Sequence, residues 1–106
     1  MAITANVDLG NGVTASSCYI IVPNAYVKKF APERDGENST FKLIYDAHIY
    51  QNKSARDSDT RQSKKIKCRE VDHHKIDYDP TTSDNPFKLA YVDLKTNSKL
   101  SSVSDA

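Results

Sequence analysis

Ser39–Gln51, STFKLIYDAHIYQ, is the stretch whose reading decides the fold. Phe41, Leu43, Tyr45, Ala47 and Ile49 recur at period two and so share one face, while Lys42, Asp46 and His48 fall on the other. Tyr, Phe and Ile suit a pleated, half-buried surface, so the stretch is predicted to be the central strand of a sheet. The rest of the chain is read as its partner strands and one closing helix.

Upstream, Ile3, Ala5, Val7 and Leu9 are in phase over a first strand, Ala2–Leu9. Asn11-Gly12 follows. This pair readily takes the positive φ angles of a tight hairpin turn. Val13–Val22 is a second strand, apolar on both faces near its end and therefore central. Pro23 cannot donate to a ladder, so a break is expected at Pro23-Asn24. A third strand is expected over Ala25–Arg34, with Tyr26 and Phe30 as its bulky residues and Pro32 marking an edge. Asp35–Asn38 would turn it antiparallel onto the central strand. Residues 2–51 thus read as a hairpin-rich sheet.

Downstream, Asn52–Ser63 holds Ala55 as its one apolar residue and is predicted to be an exposed loop, or one ordered by a partner. Lys64–Tyr78 regains strand character, but Ile66 and Cys68, then Val71, then Ile76 and Tyr78 alternate in phase, which implies bulges or two short strands. Phe87, Ala90, Tyr91 and Leu94 switch to the i, i+3, i+4, i+7 spacing of a helix over residues 85–97. Asp84 or Asn85 can cap it, and Pro86 suits its first turn. The Ser-rich tail, residues 98–106, is expected to fray from Leu100 onward. The expectation is one mainly β domain over residues 1–106: a small antiparallel β-sandwich or barrel-like domain with one short C-terminal helix.

A chain of 106 residues holds one core. Its net charge of +1 argues against a bulk electrostatic partner such as duplex DNA or an anionic membrane, though not against a local patch. No apolar run approaches the roughly 20 residues of a membrane span. The start, MAITANVDLG, lacks the basic and apolar regions of a secretory signal. Cys18 and Cys68 are accordingly read as free packing thiols of a reducing cytosol, with a bridge between them as the alternative.

No catalytic or metal site is read from the residues, and no cofactor. His73 and His74 are adjacent, so one strand aims them at opposite faces, and only His48 paired with one of them across strands could begin a metal site. Cys68 with His73 or His74 lacks the helix N-terminus or orienting group an activated thiol needs. Charge is patterned more strongly. Lys53–Arg69 carries seven bases (Lys53, Arg56, Arg61, Lys64, Lys65, Lys67, Arg69) and two acids, net +5. Glu70–Asp84 carries five acids (Glu70, Asp72, Asp77, Asp79, Asp84) and one base, net −4. Two solvated loops are the plain reading. The functional one is a pair of complementary patches that dock copies or neighbours side by side. Nucleic acid is a weaker fit, because no aromatic lies between Gln51 and Tyr78 to interleave with the bases.

Ile3, Leu9 and Asn11-Gly12-Val13, then Asn24-Ala25-Tyr26-Val27-Lys28-Lys29, and finally Asn85-Pro86-Phe87-Lys88-Leu89-Ala90-Tyr91-Val92-Asp93-Leu94-Lys95 resemble a group of small tailed-bacteriophage virion proteins. In that group an early strand leads into an Asn-Ala-Tyr segment and an Ala-Tyr-x-x-Leu-Lys helix closes the domain. The resemblance implies a non-enzymatic, multi-copy structural component of a phage particle, in the tail, baseplate or neck. Made in the host cytoplasm, it would be located in the virion. Its partners would be other virion proteins and copies of itself, with no membrane and no small-molecule substrate. The alternative is a nucleic-acid-binding β-barrel using the basic 53–69 segment.

Overall fold

The computed structural model describes residues 2–30, 40–58 and 65–106. Five strands form one antiparallel sheet: β1 (Ile3–Gly10), β2 (Val13–Phe30), β3 (Thr40–Tyr50), β4 (His73–Asp77) and β5 (Leu100–Asp105), in the order β4-β3-β2-β1-β5. Three helices accompany it: α1 (Lys53–Ser58), α2 (Arg69–Asp72) and α3 (Pro86–Leu94). The mainly β expectation holds. Neither the second sheet of a sandwich nor closure into a barrel is seen among the described residues. Helices cover the apolar face instead.

That face follows the alternation. Leu43, Tyr45, Ala47 and Ile49 of β3 are buried alongside Ile3, Ala5 and Val7 of β1 and Cys18, Ile20 and Val22 of β2. Val71 of α2 and Ala90, Tyr91 and Leu94 of α3 close over them. The β1–β2 turn is the one expected: Asn11 and Gly12 both have positive φ (54° and 78°) between the paired residues Gly10 and Val13.

Four expectations are corrected. First, Pro23 does not end a strand. β2 runs unbroken through it, and one extra residue is absorbed as a bulge between the Ile21–His48 and Asn24–Asp46 pairs. A bulge takes the proline out of the ladder, which is how a strand tolerates it. The expected Ala31–Arg34 end of this strand, Pro32 and the Asp35–Asn38 turn lie outside the described residues, but the antiparallel β2–β3 hairpin is present.

Second, the phase slip in Lys64–Tyr78 is a helical turn. α2 directs Val71 into the core, and β4 then resumes alternation with His74 and Ile76 inward. Third, Lys53–Ser58 is helical, its start tied by the Asn52 side chain accepting from the Ala55 N–H at 2.8 Å. It buries no residue, as its composition dictates.

Fourth, the tail does not fray, and α3 is not the last element. β5 pairs with β1, Leu100 is buried, and Lys95 meets Asp105 at 2.5 Å. Ser102 (φ 52°) marks a bulge opposite Thr4/Asn6 that lets a serine-rich strand follow β1. α3 itself starts as expected, with Asn85 accepting from the Phe87 N–H at 2.7 Å and Pro86 in the first turn. Phe87, however, is exposed, and the docked face is Ala90, Tyr91 and Leu94.

Candidate interaction surface

The sheet is longer than its β1 side. β1 accompanies β2 only as far as the Ile3–Ile20 pair. Beyond it, β2 is bonded to β3 alone among the described residues, through pairs running from Asn24–Asp46 to Phe30–Thr40. This distal half is an arm on a molecule of 50 × 29 × 25 Å. Its β2 edge carries Tyr26 (53% exposed), Val27, Lys28 and Lys29, all exposed.

Strand pairing sorts the arm into two faces. On the open face lie Tyr26, Ile44 and Lys75 in one row and Lys28, Lys42 and Asp77 in the next. The Lys75 and Lys28 Nζ atoms stand 4.5 and 5.2 Å from the Phe30 ring centroid, within cation–π range. Lys42 donates to Asp77. On the helix-bearing face, Val27 sits beside Leu43, and Leu43 beside Ile76.

Leu43 and Ile76 floor a cleft of about 430 Å³ between β4 and α3. Leu89 and Val92 of α3 and Tyr78 wall it, Asp79 and Asp93 rim it, and Asp77 of β4 lines it while its carboxylate meets Lys42 on the open face. Asp77 and Asp79 are held in their charged forms for local reasons. A hydrogen bond from Lys42 holds the Asp77 carboxyl below its ordinary value, and bonds from the Thr81 hydroxyl and N–H (2.7 and 2.9 Å) do the same for Asp79. Asp93 accepts from the Tyr45 hydroxyl at 2.5 Å. Burial, reinforced by that carboxylate, pushes the Tyr45 phenol far above its ordinary value, so it stays a donor.

The predicted interaction residues are scattered by the fold. Lys53 and Arg56 lie on exposed α1, where Arg56 bonds its neighbour Asp57 at 3.1 Å. Arg61 and Lys64 lie outside the described residues. Lys65 is half-buried, and Lys67 and Arg69 are exposed. Among the acids, Glu70 and Asp72 belong to α2, where Asp72 accepts from the Cys68 N–H at 3.2 Å and Asn97 donates to the Glu70 carbonyl at 3.0 Å. Asp77 and Asp79 alone reach the cleft, and Asp84 pairs with Lys88 one turn along α3.

The histidines serve the fold. His73 meets Asp46 at 2.5 Å across the β3–β4 pair. His74 donates from Nε2 to the Val71 carbonyl at 2.7 Å and stacks on Tyr45 at 4.7 Å between centroids. His48 faces Ile21 and packs edge-on against Tyr50. Burial and then the Lys65 charge press its pKa down. Among the described residues, no three His, Cys, Asp or Glu side chains gather as metal ligands. Both cysteines are free and buried. Burial raises both thiols, and the Glu70 carboxylate adds to the effect at Cys68, the reverse of nucleophile activation.

Sequence reasoning missed the arm and the cleft. The signal for the arm was present in Tyr26-Val27-Lys28-Lys29, where apolar and basic residues alternate on both faces. The cleft had none, because it joins β3, β4 and α3 across long separations. No family model, curated protein or solved structure matches this chain.

Proposed function

We propose that this domain is a non-catalytic, multi-copy structural component of a bacteriophage particle, of the tail, baseplate or neck, made in the host cytoplasm and built into the virion. The sequence resemblance suggests the setting. The observation that carries the reading is the arm: half of an 18-residue strand extends past its β1 partner and presents Tyr26 and Val27 with two lysines on an edge that no described strand pairs. An unpartnered strand edge is costly to keep unless something uses it, and the lysines guard it against indiscriminate pairing. Rigid sheet presents the arm, and neighbouring subunits receive it.

Particles purified from lysates of the phage encoding the chain should contain it in many copies per particle by quantitative mass spectrometry. Its absence from intact particles would refute the proposal. A second reading is single-stranded nucleic acid binding, favoured by Lys28 and Lys75 converging on Phe30 beside exposed Tyr26, the interleaving that the linear sequence lacks. It requires a salt-sensitive shift with labelled oligonucleotide, whereas the particle reading requires none.

A further inference from the structure

We infer that two copies of this chain associate as a twofold pair, the arm of each seated in the cleft between β4 and α3 of the other. This rests on the assembly reading and names one partner for it. The argument is complementarity in charge, surface type and placement.

The cleft offers apolar Ile76, Leu89 and Val92 beneath an acidic rim, Asp79 and Asp93 among it. It therefore fits an apolar side chain carried next to a cation. The arm offers that pattern. Val27 and Lys29 alternate along β2 on one face, and both are exposed. Exposed Val92 of α3 on the cleft wall (54%) and exposed Val27 on the arm (36%) are two apolar groups left to solvent. Each would be covered by the other copy.

Placement supplies the symmetry. Val27 lies beside Leu43 on the same face of the sheet, so donor arm and acceptor cleft form one continuous strip. Two such strips laid antiparallel bring each Val27 over the other copy's cleft, and each Lys29 to the other's Asp79 and Asp93. A self-complementary patch of this kind closes as a dimer. Both carboxylates are held in place, Asp79 by Thr81 and Asp93 by the Tyr45 hydroxyl, so the rim is organised before the partner arrives.

The test uses two variants and sedimentation velocity at a range of concentrations, with circular dichroism to check folding. Arm variant Lys29→Glu places acid against the acidic rim. Cleft variant Val92→Lys adds a cation to the wall of the seat that receives Lys29. Wild type should sediment at twice the 11.8 kDa chain mass. Each variant alone should dimerise roughly 100-fold more weakly, as like-charge juxtaposition dictates. An equimolar mixture of the two should recover a 1:1 dimer, because each seat then joins opposite charges. Wild type that stays monomeric up to its solubility limit overturns the pairing, and so do variants that dimerise like wild type or a mixture that does not recover. None of these results alters the copy number in purified particles, which tests the assembly reading separately.

Discussion

Replacing Tyr91 by Phe removes a hydroxyl on which the docking of α3 depends. The Val22 N–H, at the bulge before Pro23, donates to the Tyr91 hydroxyl at 2.9 Å, and both residues are buried. Phe keeps the ring and leaves no cavity, so the loss is polar. A buried donor left without its partner costs about 1–3 kcal/mol, more than the net worth of an average hydrogen bond. In a domain of this size each kcal/mol moves Tm by about 4–8 °C, so the melting point should fall by roughly 10 °C. Urea melts should show a lower midpoint at unchanged slope. Native-state amide exchange should quicken at Val22 more than at Ile20, the next inward-facing residue of β2. Tyr26→Phe, at an exposed hydroxyl, should change stability by less than about 0.5 kcal/mol. A Tyr91→Phe loss below about 0.5 kcal/mol, or unaltered exchange at Val22, would refute the view that this hydroxyl pins the helix to the bulge.

Leu94→Ala should cost about 2–5 kcal/mol in urea melts, since Leu94 is fully buried, whereas Phe87→Ala on the exposed side of α3 should be close to neutral; equal losses would mean that α3 docks by another face. Ending the chain after Asn97 removes β5, bares the β1 edge and unroofs Val7, so the truncated protein should melt lower and aggregate by light scattering, and a truncation as stable and soluble as the full chain would contradict the β1–β5 pairing. His48 is held below its ordinary pKa by burial, so the unfolded chain takes up protons first; the stability His48 confers is complete above about pH 6.5 and is lost as pH falls through its folded value. A Tm–pH series should therefore slope less in His48→Gln than in wild type below neutrality, and parallel profiles would remove His48 as the cause.

The parts legible in the sequence were those set by local rules. Period two fixed the inward face of β3, Asn11-Gly12 set the first hairpin, and Asn85-Pro86 with the Ala90–Tyr91–Leu94 stripe set α3. What failed was decided across the chain. Pro23 reads as a breaker until β3 is alongside to accommodate a bulge. LSSVSD reads as a fraying tail because nothing local shows that β1 has a vacant edge for it. Val71 looked like a strand residue out of phase because a single helical turn is too short to show a period. The candidate surface was the least legible. The charge contrast between 53–69 and 70–84 is real in sequence, yet folding ties Asp84 to Lys88, Asp72 to the Cys68 N–H and Asp77 to Lys42. Among the acids singled out there, Asp77 and Asp79 reach the cleft, and among the described residues its lining takes nothing from the basic segment.

The bulge at Pro23 links the core to this surface. Without the extra residue, β2 would hold one phase from Ile20 to Phe30. Tyr26 would then share the inward face with Ile20 and Val22, and Val27 and Lys29 would point to the open face, because a one-residue change of register exchanges the two sides of a strand. The bulge reverses this. It keeps Ile20 and Val22 inward in the proximal half, and in the distal half it aligns Ala25, Val27 and Lys29 with Tyr45, Leu43 and Phe41. It also presents the Val22 N–H to Tyr91, which holds α3 over the proximal half and leaves the cleft beside Ile76 open beyond it. One inserted residue thus places the apolar–basic arm and the acid-rimmed cleft on the same face. That is the condition for a self-complementary contact, and Pro23 stands at the middle of the 18-residue strand where the bulge takes it out of the ladder.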